Sequence, residues 1–260
     1  MLLKNIAYLD ENFDVIFGVD IRIDENKIVE IGKNLEVAVG EEILEGENLL
    51  VTPGLCDAHT HVGQQLLKGK VLDAEGIIWK EIMLPFESSL TAEKMSLNTR
   101  YALVEMIKSG TTSFVDAGSY YMDSACEEIV KSRVRGAVTY SSMDDKTLPP
   151  SILNSVDEVL EKNDELYEKW NGKGLLQVYY SLRSLMSVSE ELILRVSEHS
   201  KERNTMLQAH MNEYQKEVDY VVEKTGLPPY EYLDSLGVLD KNFIAVSYTH
   251  LRAHETTLHL

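Results

Sequence analysis

The chain is poor in cysteine and has no long hydrophobic run, and each absence excludes a class of protein. Cys56 and Cys126 are the two cysteines among 260 residues, so the chain lacks the disulfide framework of a small secreted domain. The N-terminal stretch MLLKNIAYLDENFDV has no signal-peptide core, and no run is long enough to cross a bilayer. We therefore expect a reducing, cytoplasmic setting, with Cys56 buried in an apolar segment.

Positive charge is also scarce. The chain has 25 Lys and Arg against 43 Asp and Glu, which leaves a formal net charge of −18. Such a surface repels polyanions, so we expect neither nucleic acid nor an anionic membrane as a partner. A small molecule is the expected partner, and the sequence leaves the formation of a homo-oligomer open.

Strand-like and helix-like segments alternate along most of the chain. Residues 1–50 predict a small unit of short strands and turns, and residues 51–246 predict a larger unit. In the larger unit, one helix is expected to end at Gly110, and another to begin with a capping box of Ser187 and Glu190.

This alternation predicts an α/β fold in which right-handed crossovers join parallel strands. Both a doubly wound sheet and a TIM barrel fit that pattern. No glycine-rich phosphate loop follows the first strand of the series, which counts against a dinucleotide-binding fold.

The first chemical signal is the stretch TPGLCDAHTHV at residues 52–62. His59 and His61 are two residues apart at the end of a strand-like run, so their side chains point to the same face. Two such histidines could be hydrogen-bonded core residues, polar residues of a wet rim, or metal ligands.

The second signal is LQAHMNEYQKEV at residues 207–218. His210 ends an apolar run and Glu213 follows three residues later. In a parallel barrel, side chains at the carboxyl ends of the strands converge on one mouth, which would bring His210 to His59 and His61. Three imidazoles suit a catalytic metal ion, and a nearby carboxylate such as Glu213 can transfer protons. The alternative is an ordinary polar strand end.

These two stretches, with SGTTSFVDAG (109–118), LLKG (66–69) and WKEIMLPFESSLT (79–91), resemble the amidohydrolase superfamily. The similarity is to its S-adenosylhomocysteine, methylthioadenosine and chlorohydrolase-type branch, and it covers roughly residues 1–246. The resemblance implies a TIM (β/α)8 barrel, here partial, preceded by a small N-terminal β-sandwich portion. It also implies a hydrolase that deaminates, or as a second choice dechlorinates, a purine, pterin, triazine or nucleoside.

The resemblance also implies roles for individual residues. His59, His61 and His210 match the ligands of one divalent metal ion, with zinc preferred and iron as the alternative. Glu213 matches the proton-transferring acid.

Two further matches concern the substrate. Glu87 matches a glutamate that binds the hydroxyls of a ribose, although a solvent-facing carboxylate near a helix end is an equal alternative. Trp79 is a candidate for the pocket lid or for core packing.

The chain departs from the family in its fourth strand. Arg183 stands where the adenosine-type deaminases have a histidine, so it is a candidate to bind a carboxylate, a phosphate or a carbonyl-rich ring. The same strand has no lysine, which counts against the alternative of a binuclear cyclic amidase such as a dihydroorotase or hydantoinase. A catalytically dead fragment or a binding module is the other alternative.

Residues 247–260, SYTHLRAHETTLHL, do not continue the resemblance. Ser247 stands where the family's sixth strand ends in a histidine, and the aspartate of its eighth strand has no counterpart. The stretch looks like a translated sequencing adapter, so we expect a non-native tail on a C-terminally truncated, inactive chain. A genuine histidine-rich tail is the alternative.

Overall fold

The structure is a computed structural model that describes residues 1–71 and 76–248. The chain forms two compact units, Met1–Leu55 and a second unit that begins at Cys56. Most of the predicted tail, residues 249–260, lies outside the described residues. No helix within the described ranges combines the length and hydrophobicity needed to cross a bilayer.

The N-terminal unit is one mixed sheet, where the sequence predicts part of a β-sandwich. The central strand β1 pairs with β2 in the antiparallel sense and with two short strands in the parallel sense, and β3 extends the sheet beyond β2. Leu3, Ile6 and Ile21 form its small core. The strands are β1 (Leu2–Leu9), β2 (Val15–Asp24), β3 (Lys27–Gly32), β4 (Ile43–Glu45) and β5 (Leu50–Val51).

The second unit contains the barrel strands. They form a sheet of order β6-β7-β8-β9 and a sheet of order β10-β11-β12. The described registers from β7 to β9 and from β10 to β12 are all parallel, as the alternating pattern predicts. The strands are β6 (Leu55–Thr60), β7 (Thr111–Asp116), β8 (Arg135–Val138), β9 (Leu176–Val178), β10 (Tyr180–Leu182), β11 (Leu207–His210) and β12 (Phe243–Val246).

β9 and β10 are two halves of one extended segment that changes partner at Tyr179. The Tyr179 N–H donates to the Val138 carbonyl on the β8 side, whereas the Tyr180 N–H donates to the Met206 carbonyl next to β11. The segment therefore links the two sheets into one series.

Helices connect the strands and cover the core. Two apolar clusters lie beneath them, one centred on α2, α3, β7 and β8, and the other on α4, α5, β10 and β11. A 3-10 helix spans Val62–Leu67 and a π-helix spans Trp79–Met83. The α-helices are α1 (Leu84–Glu87), α2 (Ala92–Ser109), α3 (Met122–Ser132), α4 (Val156–Trp170), α5 (Glu190–Glu202), α6 (Gln215–Thr225) and α7 (Pro229–Ser235).

The predicted end of α2 is confirmed, whereas the predicted start of α5 is wrong. Gly110 ends α2 with a φ of +82°, as predicted. The prediction of a capping box at Ser187 is wrong, because Ser189 is the N-cap of α5 and accepts from the Leu192 N–H. The Ser187 hydroxyl donates instead to the Ser184 carbonyl.

The prediction of a buried Cys56 is also wrong, because its side chain is exposed. Cys56 lies on β6, which is the edge strand of its sheet. One long side of β6 has no strand partner among residues 1–71 and 76–248, so an apolar sequence there does not guarantee burial.

Candidate metal centre and active site

Three histidines meet at the carboxyl ends of β6 and β11. His59 lies near the end of β6, His61 follows that strand, and His210 is the last residue of β11. Each offers one ring nitrogen, and these three atoms lie within 4.8 Å of one another. The Nε2 atoms of His61 and His210 are 3.2 Å apart. The structure thus brings together the three predicted ligands.

Asp116, at the end of β7, holds the backbone that directly follows His61. Its carboxylate accepts hydrogen bonds from the Val62 N–H at 2.8 Å and the Gly118 N–H at 3.0 Å. Burial raises the pKa of Asp116 to about 7, although both N–H donors act in the opposite direction. Sequence analysis missed Asp116, whose only signal is its position in TTSFVDAG, at a strand end.

Gly118 is the residue that permits the turn after β7. Its φ is +86°, and a Cβ atom there would lie 3.0 Å from the Ser141 backbone nitrogen. Any other residue would therefore be strained and crowded. The glycine lets the chain after β7 pass close to the end of β8.

The environment keeps the three imidazoles neutral. Burial lowers the pKa of His59 and lowers those of His61 and His210 strongly, and the nearby Arg183 guanidinium lowers them further. A neutral imidazole has the free lone pair that a metal ion needs. The electrostatics of the cluster therefore favour the ligand form of these histidines.

The donor set fits a single divalent ion. A tetrahedral zinc ion with Zn–N distances of about 2.0–2.1 Å holds its ligand nitrogens about 3.3 Å apart, close to the 3.2 Å between His61 and His210. The buried Nδ1 of His59 finds no hydrogen-bond partner within residues 1–71 and 76–248. A converging set of imidazoles with an unsatisfied nitrogen is able to hold a metal ion.

Glu213 lies in the loop between β11 and α6, three residues after His210. Its side chain is half-buried, and this burial raises the pKa of its carboxyl group, while Arg183 and Tyr214 act in the opposite direction. A carboxyl group whose pKa is moved toward neutrality can accept and release a proton more readily at pH 7. The role of Glu213 in proton transfer stays a prediction.

Glu87 and Arg183, the two predicted substrate-binding ions, pair with each other. Arg183 Nη2 lies 3.2 Å from Glu87 Oε2, and Nη1 lies 3.4 Å from Oε1. Arg183 also donates to the Gly118 carbonyl, and the Ser119 hydroxyl donates to Glu87. Their exposed fractions are 1% and 3%, so the alternative of a solvent-facing Glu87 is wrong. Substrate contact by either residue stays a prediction.

Trp79 begins the π-helix and is buried. It belongs to the same apolar cluster as Val62 and Leu84. The structure thus shows the core-packing contact for this side chain, and its role at a pocket lid stays a prediction.

Two surface grooves differ in their relation to the histidines. One of about 440 Å³ lies between β6 and β12, and its lining includes His59, Val246 and Ser247. A larger one of about 850 Å³ lies along α3 and α4 and contains none of the predicted site residues. Of these two grooves, only the smaller one is lined by a predicted metal ligand.

Comparison with solved structures finds the same fold in two proteins of known structure. A zinc-bound adenosine deaminase from Xanthomonas campestris superimposes with a TM-score of 0.86 at 23% identity, covering 99% of this chain and 59% of that protein. Atrazine chlorohydrolase from Arthrobacter aurescens, complexed with zinc, gives a TM-score of 0.84 at 18% identity, covering 94% and 60%. At these identities the likeness concerns the fold, and it confirms the predicted α/β architecture with a partial TIM barrel.

Comparison of sequences finds a deaminase relative and a matching family model. The 5-methylthioadenosine/S-adenosylhomocysteine deaminase of Thermoanaerobacter pseudethanolicus is 30% identical over 264 residues, which cover 99% of this chain. The chain spans 60% of the length of that relative. The model of the amidohydrolase family matches residues 50–260. Because that match includes most of the chain and all the converging histidines, the protein belongs to the amidohydrolase family.

Proposed function

We propose that the intact enzyme, of which this chain is predicted from its sequence to be a truncated and inactive part, hydrolytically deaminates an aminated heterocycle or nucleoside. Its site holds one divalent metal ion, zinc in preference to iron. One observation supports the proposal above all. His59, His61 and His210 converge within 4.8 Å, and a half-buried acid, Glu213, follows in the same loop as His210. The name of the sequence relative, a deaminase of adenosine derivatives, points to the same reaction class.

The metal ion, held by His59, His61 and His210, would supply Lewis acidity that makes water a better nucleophile near neutral pH. Glu213 accepts a proton from the attacking water. It then delivers that proton to the amino nitrogen of the substrate, so that the C–N bond breaks and ammonia leaves. The raised pKa of Glu213 suits a group that must first accept and then donate a proton.

The ion pair between Glu87 and Arg183 bears on how these two residues could contact the substrate. Each of these ions already has a buried partner of opposite charge, so a substrate contact by either residue would be made by a side chain that is already paired. The purine, pterin, triazine and nucleoside classes all stay within the proposal. The substrate is a small molecule, and a cytoplasmic location remains the prediction from the cysteine content.

The alternatives differ in what they require. A binuclear cyclic amidase needs a bridging lysine, and the segment from Leu176 to Arg183 contains none. A binding module would hold the same ligand but would not need Glu213 to transfer a proton. Replacement of Glu213 therefore separates an enzyme from a binding module.

The test is ammonia release from a panel of aminated purines, nucleosides, pterins and triazines by the intact, zinc-loaded enzyme and by its Glu213→Gln variant. We expect Glu213→Gln to bind the same amount of metal as the parent protein but to lose at least about 10²-fold in kcat, because glutamine cannot accept the proton. KM should change much less, since proton transfer acts in the transition state. Near-normal turnover by this variant would refute the proposed mechanism.

A further inference from the structure

Glu217 is a buried carboxylate that sequence analysis did not single out. It lies in the first turn of α6, seven residues after His210, and its exposed fraction is 1%. Its Oε2 accepts from the Glu213 backbone N–H at 3.0 Å, and the Ser184 hydroxyl donates to its Oε1 at 3.4 Å. The Leu185 backbone also hydrogen-bonds to this carboxylate. One side chain therefore connects the loop after β11 to the loop after β10.

An acidic residue in a first helical turn is ordinary, and Glu158 in α4 shows the ordinary case. Glu158 occupies the third helical position, as Glu217 does, and its exposed carboxylate closes a capping box on Ser155. The hydrogen bonds from Ser155 lower the pKa of Glu158. A capping carboxylate at the surface stabilises a helix locally without desolvation.

Glu217 differs from Glu158 in its hydrogen-bond partners, its burial and the direction of its pKa shift. It accepts from the residue before its own N-cap and from a neighbouring barrel strand's loop. Burial raises its pKa to about 7, and the nearby Glu213 carboxylate adds to this effect. Desolvating a carboxylate is costly, so helix capping alone does not account for its burial.

One of the two loops that Glu217 joins contains a residue of the proposed reaction. Ser184 and Leu185 follow Arg183 directly, and Glu213 is the proposed proton carrier. We propose that Glu217 is a positioning residue, which fixes the backbone of Glu213 relative to the end of β10 and so orients the Glu213 carboxylate. This inference rests on the proposed function, because it assigns Glu217 an effect on catalysis through Glu213.

The kinetic test compares Glu217→Gln, Glu213→Gln and the double variant of the intact enzyme, with Glu158→Gln as the matched control. Glutamine keeps the shape of Glu217 but turns an amide donor toward N–H or O–H donors. We expect Glu217→Gln to lower kcat by roughly 10- to 100-fold, the usual effect of losing a supporting hydrogen bond, with little change in KM. It should cause no further loss in the Glu213→Gln background. Glu158→Gln should leave kcat unchanged.

A second measurement is independent of turnover. Amide hydrogen exchange in residues 184–186 and 211–214 should be faster in Glu217→Gln than in the parent protein, and unchanged in both segments in Glu158→Gln. Ser184→Ala, which removes one donor and keeps the carboxylate, should show a smaller loss of the same kind in kcat. This variant keeps the test decisive if Glu217→Gln does not fold.

The outcomes separate this inference from the function on which it rests. An equal loss in kcat in the parent and Glu213→Gln backgrounds would show that Glu217 is merely structural. Unchanged exchange in both segments would show that Glu217 does not fix the backbone of Glu213, and either result would overturn the inference. If Glu213→Gln itself kept normal turnover, the proposed function would be wrong. The positioning role of Glu217 would then also be wrong, because it acts through Glu213.

Discussion

Burial shifts the acids and the bases of this site in opposite directions. It lowers the pKa values of His61 and His210, and it raises those of Glu213 and Glu217. In both cases the low-dielectric surroundings disfavour the charged form. The result is a site of neutral imidazoles and readily protonated carboxyl groups, beside the single guanidinium of Arg183, whose positive charge acts on all three histidines.

The buried Glu87–Arg183 ion pair leads to a prediction about stability. Arg183→Met should lower the free energy of unfolding by about 3–5 kcal/mol, because it leaves the Glu87 carboxylate buried without a counter-charge. The double variant Glu87→Gln/Arg183→Met should be less destabilised than the single variant, since it leaves no unpaired charge. Urea unfolding at pH 7 measures both differences.

Lys131 provides the control for this experiment. It pairs with Glu128 on α3 at 3.2 Å, and its side chain is 65% exposed. Lys131→Met should change the free energy of unfolding by no more than ~1 kcal/mol, as is usual for a surface pair. An Arg183→Met variant as stable as Lys131→Met would contradict the buried pair.

The sequence predicted the residues of the site better than their partners. His59, His61 and His210 were found because each lies at or just after the end of an apolar run, and parallel strand ends converge. The contact between Glu87 and Arg183 joins residues 96 positions apart, and no local pattern relates them. Asp116 and Glu217 were missed for the same reason, since their roles depend on N–H donors from other loops.

At the scale of the elements, strand positions were predictable and strand pairing was less so. β12 spans Phe243–Val246, as its apolar run indicates. The extended segment around Tyr179 is divided between β9 and β10, because its two halves bond to different neighbours. The start of α5 was misplaced because Ser187 and Ser189 both lie before the helix, and only tertiary contacts decide which one caps it.

The end of α2 gives a prediction that concerns an element alone. Gly110 adopts a left-handed conformation, and a Cβ atom there would meet nothing within 4 Å. Gly110→Ala should therefore destabilise the protein by about 1 kcal/mol through backbone strain and not through a clash. Thermal unfolding measured beside the parent protein gives the value.

Asparagine at the same position provides the control. Gly110→Asn should be less destabilising than Gly110→Ala, because asparagine tolerates the left-handed region better than alanine does. If alanine were as stable as glycine at this position, the assigned end of α2 would be wrong.

At the scale of the whole molecule, the acidic composition and the histidine cluster favour the same kind of ligand. A net charge of −18 attracts small cations and repels polyanions. The three neutral imidazoles provide the one group of metal-ligating side chains identified within the described ranges 1–71 and 76–248. The family, the fold and the charge are therefore all consistent with a metal-dependent hydrolase of small molecules.

The metal content of the purified protein tests the central claim most directly. Titration with zinc should find about one weakly held ion per chain, because three histidines without the family's aspartate leave the coordination of the ion incomplete. His199 lies on α5, hydrogen-bonds to Asp164 and is not a member of the histidine cluster, so it serves as the control. His61→Ala and His210→Ala should lose the ion, whereas Glu213→Gln and His199→Ala should keep it. Full zinc content in both His61→Ala and His210→Ala would show that the ion is bound elsewhere and would contradict the proposed metal centre.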